Sequence, residues 1–259
     1  MTIFLLLFYV LHFTNFATSN YTTNYTSKLA IPSNIDITSF LTDSPIIVDL
    51  TPQNILILKD TINEDSASDL ILNINNKKNK NNLLLYLDTN GGNVEDGMKI
   101  ISEVKKYNIS CIAETAYSMG FSIFQNCYTR YILPHGKLMQ HQISFSIKGE
   151  KGKIDSYVQF VDSMHKIMIK QQSRRLRLPR RKFETKILNE WWIFGQYAIE
   201  ENAADYIVEI KCDNILSNSV YNVTKNGYIY TYSSCPLISK EIHKVKDPNY
   251  IEEFSFLFI

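Results

Sequence analysis

Short apolar runs alternate with amphipathic stretches through the middle of this chain. Residues 54–58 of "NILILKD" and residues 83–88, "LLLYLD", are apolar runs of strand length. A near-continuous apolar strand is what a sheet covered on both faces requires. Between them, "NEDSASDLILNINN" opens on acidic residues and places Leu70, Ile71 and Ile74 at helical spacing. "TNGGNVEDGMKIISEVKKY" turns sharply and then sets Val94, Met98, Ile101 and Val104 on one helical face. "ISCIA" predicts another buried strand, "SMGFSIFQNC" a short helix, and "RYIL" and "KLMQ" two further short strands. This alternation predicts an α/β fold with largely parallel pairing.

A long helix is expected over residues 154–172, with Tyr157, Val158, Val161, Met164, Ile167 and Met168 as its apolar stripe. "RRLRLPRRK" follows and is broken by Pro179; it reads as a solvated turn, with an anion patch or a dibasic processing site as alternatives. "KFETKILNEWW" and "YAIEENAADYI" suggest two more helical pieces, ending in a strand at residues 207–210. The lysine and asparagine run "NNKKNKNN" reads as a solvated loop, and the Tyr-rich tail from Asp213 follows no single pattern.

The chain ends differ from this middle. "IFLLLFYVLHF" with Ala17-Thr18-Ser19 after it has the form of a signal-peptide core and cleavage site, without a basic residue ahead of it. Residues 1–19 are therefore expected to be a signal peptide or anchor, 20–43 a Ser/Thr/Asn-rich linker, 44–212 the folded domain and 213–259 an extension. A real signal implies the secretory pathway or a membrane; without one the protein is cytoplasmic or organellar. At 259 residues and 45% hydrophobic, the chain can build a full core. Twenty-seven basic against 26 acidic residues leave a formal charge of +1, so nothing draws it to nucleic acid. Cys111 and Cys127 lie in apolar segments and are expected as buried free thiols, though the even count of four, with Cys212 and Cys235, permits disulfides in an exported chain. Sequons stand at Asn20, Asn24, Asn108 and Asn222.

The candidate chemistry lies in "AYSMG" and "LMQHQIS". A serine hydroxyl needs an adjacent base, the base needs an orienting group, and the developing oxyanion needs N–H donors. Ser118 sits between a buried strand and a short helix, where the Met119 N–H is free at the helix start. Gly91 and Gly92 follow another strand, and Gly92 offers a second oxyanion donor. His141 ends a short strand and is the candidate base.

Taken together, "LYLDTNGG", "AETAYSMGFSIF" and "TRYILPHGKLMQHQIS" resemble, in order and spacing, the proteolytic subunit of the Clp protease, ClpP. The resemblance covers about residues 44–210. It implies the ClpP/crotonase fold, a spiral of β-β-α units from which the long helix projects as a handle, and assembly into a homo-oligomeric ring. It further implies a serine endopeptidase without cofactor or metal, acting on peptides or unfolded protein. Ser118 would be the nucleophile, His141 the base, and the Gly92 and Met119 N–H groups the oxyanion hole. The triad acid of the family falls on Glu190, an Asp in the family; Asp205 matches a later structural Asp and is the weaker candidate. Asn90, Tyr117 and Asn202 stand where the family has Pro, Ala and Gly. An ATP-dependent unfoldase partner is implied for a cytosolic chain, and this chain has no P-loop of its own. The departures motivate a second expectation, a catalytically silent assembly subunit. A crotonase-type acyl-CoA enzyme is the third.

Overall fold

The computed structural model describes residues 45–238 and 240–248. The expected signal peptide, the linker and the sequons at Asn20 and Asn24 lie outside these residues. Among the described residues no helix is long and apolar enough to cross a membrane.

The strands β1 (Ile46–Leu50), β2 (Ile55–Ile62), β3 (Leu84–Gly92), β4 (Ser110–Tyr117), β5 (Arg130–His141), β6 (Glu190–Phe194) and β7 (Tyr206–Cys212) form one sheet in the order β1-β7-β5-β4-β3-β2. Every pair on that path is parallel; β6 alone is antiparallel, on β5. The period of two along β3 explains its continuous apolar run. Leu85 and Leu87 join the larger core beneath helices α1 (Glu64–Asn76), α2 (Val94–Lys106) and α3 (Met119–Phe124), while Leu84 and Tyr86 join a second core on the opposite face. Asn63 caps α1 in a reciprocal pair with Ser66, and Asn93 caps α2 through the Asp96 N–H.

Three expectations change. "RYIL" and "KLMQ" lie on one strand, β5, but its halves have different partners: Tyr131 and Ile132 pair with β7, residues 137–141 with β6. "NEWW" is not helical. After α4 (Lys151–Arg175) and α5 (Arg180–Lys186), pairing with β5 draws it out as β6, so tertiary pairing overrides local preference. Cys111 and Cys127 are buried, as expected, but bonded to each other, and Cys212 is bonded to Cys235.

The tail is built. After α6 (Tyr197–Glu200), α7 (Asn214–Asn218) presses Leu216 into the second core, and β8 (Val220–Lys225), β9 (Tyr228–Ser233) and β10 (His243–Lys246) form an antiparallel sheet. Asn226-Gly227, at φ 51° and 74°, make the two-residue hairpin turn between β8 and β9. The Cys212–Cys235 bond fastens the tail to β7.

Asp205 joins the base of β7 to β5. Its carboxylate accepts from Arg130 Nη2 at 2.6 Å, from the Arg130 N–H at 2.8 Å and from Arg175 Nη2 at 3.1 Å. Burial pushes the Asp205 carboxyl up, but the Arg130 hydrogen bonds and the charges of Arg130 and Arg175 outweigh it and hold it below the usual range.

Two outcomes are expected. Cys212→Ser with Cys235→Ser reopens a loop of 23 residues, a loss of about 3 kcal/mol, to be read as a lower Tm; unreduced native protein should show no titratable thiol. Asp205→Asn leaves the Arg130 guanidinium, 4% exposed, unpaired and should cost about 3 kcal/mol at neutral pH. Because the folded pKa lies below the unfolded one, near 3.9, this contribution is present above pH 4 and fades as pH falls through the folded value. Thermal unfolding of both proteins across pH checks it: a Tm gap that ignores pH would mean the carboxylate charge is not its source.

Candidate active site

Parallel pairing brings the ends of β3 and β4 side by side, with Asp88 opposite Thr115 and Thr89 opposite Ala116. In such sheets sites form outside the carboxyl ends of the strands. Ser118 follows β4 directly, at φ 54° and ψ −113°. A side chain rarely adopts this conformation, and holding it costs about 1–3 kcal/mol. The surroundings enforce it. The Ser118 N–H donates to the Met139 carbonyl at 2.8 Å, and the Ser118 carbonyl accepts from the Ser122 N–H at 3.1 Å, starting α3. Met119 is the first residue of α3, so its N–H has no partner within the helix.

The glycine turn is pressed onto this elbow. A Cβ at Gly91 (φ +89°) would lie 2.6 Å from the Tyr117 carbonyl oxygen, 2.8 Å from Ser118 Cβ and 2.9 Å from the Met119 nitrogen. A Cβ at Gly120 would lie 2.6 Å from Thr89 Cγ2. Only glycine lets the two turns meet here.

Ser118, Met119, Gly92 and His141 line one cleft with about 50 Å³ of room, enough for a few waters. Val94, Ile143, Met168, Ile169 and Ile187 supply its apolar walls. Its floor is a polar network that the sequence reading did not single out. Gln140 Nε2 donates to Gln172 Oε1 at 2.6 Å, and both side-chain amides reach Ser122 Oγ at 3.2 Å. Gln140 Oε1 also accepts the His141 N–H at 3.1 Å. The network fixes α4 against β5 behind His141. The available signal was two glutamines placed within apolar patterns, one beside His141 and one on the α4 stripe.

His141 Nδ1 lies 2.5 Å from the Gln142 carbonyl, which can only accept; in the neutral imidazole this contact places the proton on Nδ1 and leaves Nε2 as the acceptor. Among the described residues the Ser118 hydroxyl makes no hydrogen bond, to His141 or to any other group. Glu190 does not line the cleft. It is the direct cross-strand partner of His141 in the β5–β6 ladder, and its Oε2 accepts from Trp192 Nε1 at 2.9 Å. Trp192 in turn packs edge-on against Tyr117, ring centroids 5.0 Å apart. Asp205 lies elsewhere, committed to Arg130 and Arg175. No group of three or more His, Cys, Asp or Glu is placed to hold a metal ion among the described residues.

A search of the curated proteins finds no match to this chain. The family model described as Clp protease matches residues 42–211, about two thirds of the chain and all but the last residue of the sheet that carries the cleft. With that match added to the mainly parallel α/β architecture, the chain belongs to the Clp protease family.

Proposed function

We propose that this protein is a serine endopeptidase in which Ser118 is the nucleophile, His141 the base and Glu190 the orienting acid. One observation carries the reading: a strained strand-to-helix serine shares a cleft with a histidine whose Nδ1 is engaged by the Gln142 carbonyl. In the reaction Ser118 Oγ attacks the peptide carbonyl and His141 Nε2 takes its proton. The Met119 and Gly92 N–H groups hold the oxyanion. His141 then gives the proton to the leaving amine, and water hydrolyses the acyl-enzyme by the same route. Glu190 stands directly across the ladder from His141. An exchange of the Gln142 carbonyl for the Glu190 carboxylate at Nδ1 completes the triad, and catalytic hydrogen bonds commonly tighten only with substrate bound.

The silent assembly subunit is the second reading. The absence of a Ser118–His141 hydrogen bond and the hold of Trp192 on Glu190 favour it. The Clp protease match supports a peptidase over an acyl-CoA enzyme. The two disulfides support an oxidising compartment, as does the apolar run at residues 3–13. In that setting a cytosolic ATP-dependent unfoldase is not the partner.

Assembly into a ring is part of this proposal. Helix α4 is about 37 Å long at 1.5 Å per residue, and Val161 and Met168 on its stripe are buried in its own subunit. Phe145, Tyr157 and Phe160 instead form an exposed aromatic cluster, with ring centroids 5.9 Å and 6.1 Å apart. Exposed apolar patches of this kind mark interfaces, and a second copy of α4 is the fitting partner.

Ser118→Ala and His141→Ala are each expected to lower kcat by at least about 10⁴-fold, and Glu190→Gln by about 10² to 10⁴-fold with KM little changed. A fluorophosphonate probe should label Ser118 in the native protein; a folded protein that stays unlabelled is the silent subunit. Tyr157→Glu with Phe160→Glu should lower the mass measured by light scattering while the far-UV circular dichroism is kept. A native chain that scatters as an active monomer would overturn the ring.

A further inference from the structure

Three arginines cluster at the end of α4, Arg174, Arg175 and Arg177, and a fourth, Arg130, opens β5. All four line one open cavity of about 610 Å³, in which Asp205 is the single carboxylate. That carboxylate is already committed. Its Oδ1 takes Arg130 Nη2, and its Oδ2 takes Arg130 Nε, the Arg130 N–H and Arg175 Nη2. Arg130 Nη1 is satisfied by Gln125 and the Asn202 carbonyl.

The other three guanidiniums keep donors that no group among the described residues accepts, those of Arg174 and Arg177 at the exposed rim. Arg175 uses Nη2 on the Cys127 and Tyr128 carbonyls and on Asp205, but its buried Nε has no acceptor. Among the described residues the side chains of Arg174 and Arg177 make no hydrogen bond or ion pair. Nor are they needed to cap α4. The Leu178 N–H bonds the Ser173 carbonyl at 2.9 Å and the Arg177 N–H bonds the Arg174 carbonyl at 3.1 Å, so the backbone closes the helix end by itself. Arg177 occupies the left-handed position of that motif at φ 56°, where glycine is the usual residue. On its far side, Arg174 and Arg175 border a second hollow of about 410 Å³ with Lys105 and no carboxylate on its wall. Burial, and then the charges of Arg130 and Arg177, lower the Arg175 pKa despite Asp205. Like charges are thus held together with too little opposite charge among them.

We propose that this cavity binds a phosphate dianion, free or as a phosphate monoester, held by Arg174, Arg175 and Arg177 against the fixed Arg130–Asp205 wall. Guanidinium forks suit a phosphate's several oxygens, and a dianion balances more of the charge than a carboxylate does. The site does not depend on the peptidase reading.

The test is calorimetric titration of the full chain with inorganic phosphate, at ionic strength held constant with chloride. One saturable site per chain is expected. Arg177→Gly should bind about 10-fold or more weakly, since a charge-assisted contact is lost. Glycine suits the turn, so weaker binding in that variant is not a failure to fold; an unchanged or raised Tm checks this. Arg174→Gln should weaken binding in the same way. A phosphoserine peptide beside its unphosphorylated form separates the sources: phosphate and phosphopeptide both binding assigns an open monoester site, and phosphate alone binding assigns a free-anion site. No saturable phosphate binding by folded native chain would overturn the proposal, as it would if a carboxylate of a second copy filled the cavity. Equal phosphate binding by the native and Arg177→Gly proteins would overturn it too.

Discussion

The candidate site depends on one close approach, that of the Gly91 backbone to the Ser118 elbow. A Cβ at Gly91 would lie within 3 Å of three atoms of residues 117–119, so the turn after β3 can reach the turn after β4 only without one. This contact sets Gly92 and the Met119 N–H on the same cleft as the serine. It also keeps Ser118 in a backbone conformation that a serine would not hold alone. The strain is borne by the two-sided burial of the sheet, because Leu85 and Leu87 on one face and Leu84 and Tyr86 on the other fix β3 beside β4.

The second constraint is the antiparallel strand at the middle of an otherwise parallel sheet. β6 pairs with the far half of β5 and so carries Glu190 to His141, and Trp192 to Met139 and Tyr117. Tyr117 and Glu190, two departures from the Clp protease pattern, both touch Trp192. The larger residue before the serine and the longer carboxylate across from His141 therefore belong to one packing arrangement. The buried Ser122–Gln140–Gln172 network supports the same strand from behind, and with every polar group paired it adds order rather than strain.

The sequence by itself determined the α/β class, the order of β2 to β5 with α1 to α3, and the long helix α4. Each carries its period in its own residues: continuous apolar runs for strands buried on both faces, and 3.6-residue stripes for helices. It also marked Ser118, His141, Gly91 and Gly92, since glycine pairs and a serine at a strand-to-helix junction are local signals. The hairpin of the tail is encoded locally as well, in Asn226-Gly227 between alternating residues. Only the tertiary structure decided the rest. "NEWW" is a strand because β5 offers it an unpaired ladder, which no local pattern encodes. Cys111 and Cys127 lie 16 residues apart in sequence, yet parallel pairing of β4 with β5 returns the chain and sets their Cα atoms 5.7 Å apart. Arg174, Arg175 and Arg177 of the basic stretch read as a solvated turn gather around Asp205 and Arg130 because β5, β7 and the end of α4 converge there. Nothing in the residues around Glu190 and Asp205 encodes which groups each carboxylate meets. Ladder register sets Glu190 across from His141, and Arg130 and Arg175 hold Asp205, because pairing across the sheet is fixed by long-range contacts and not by the residues alongside.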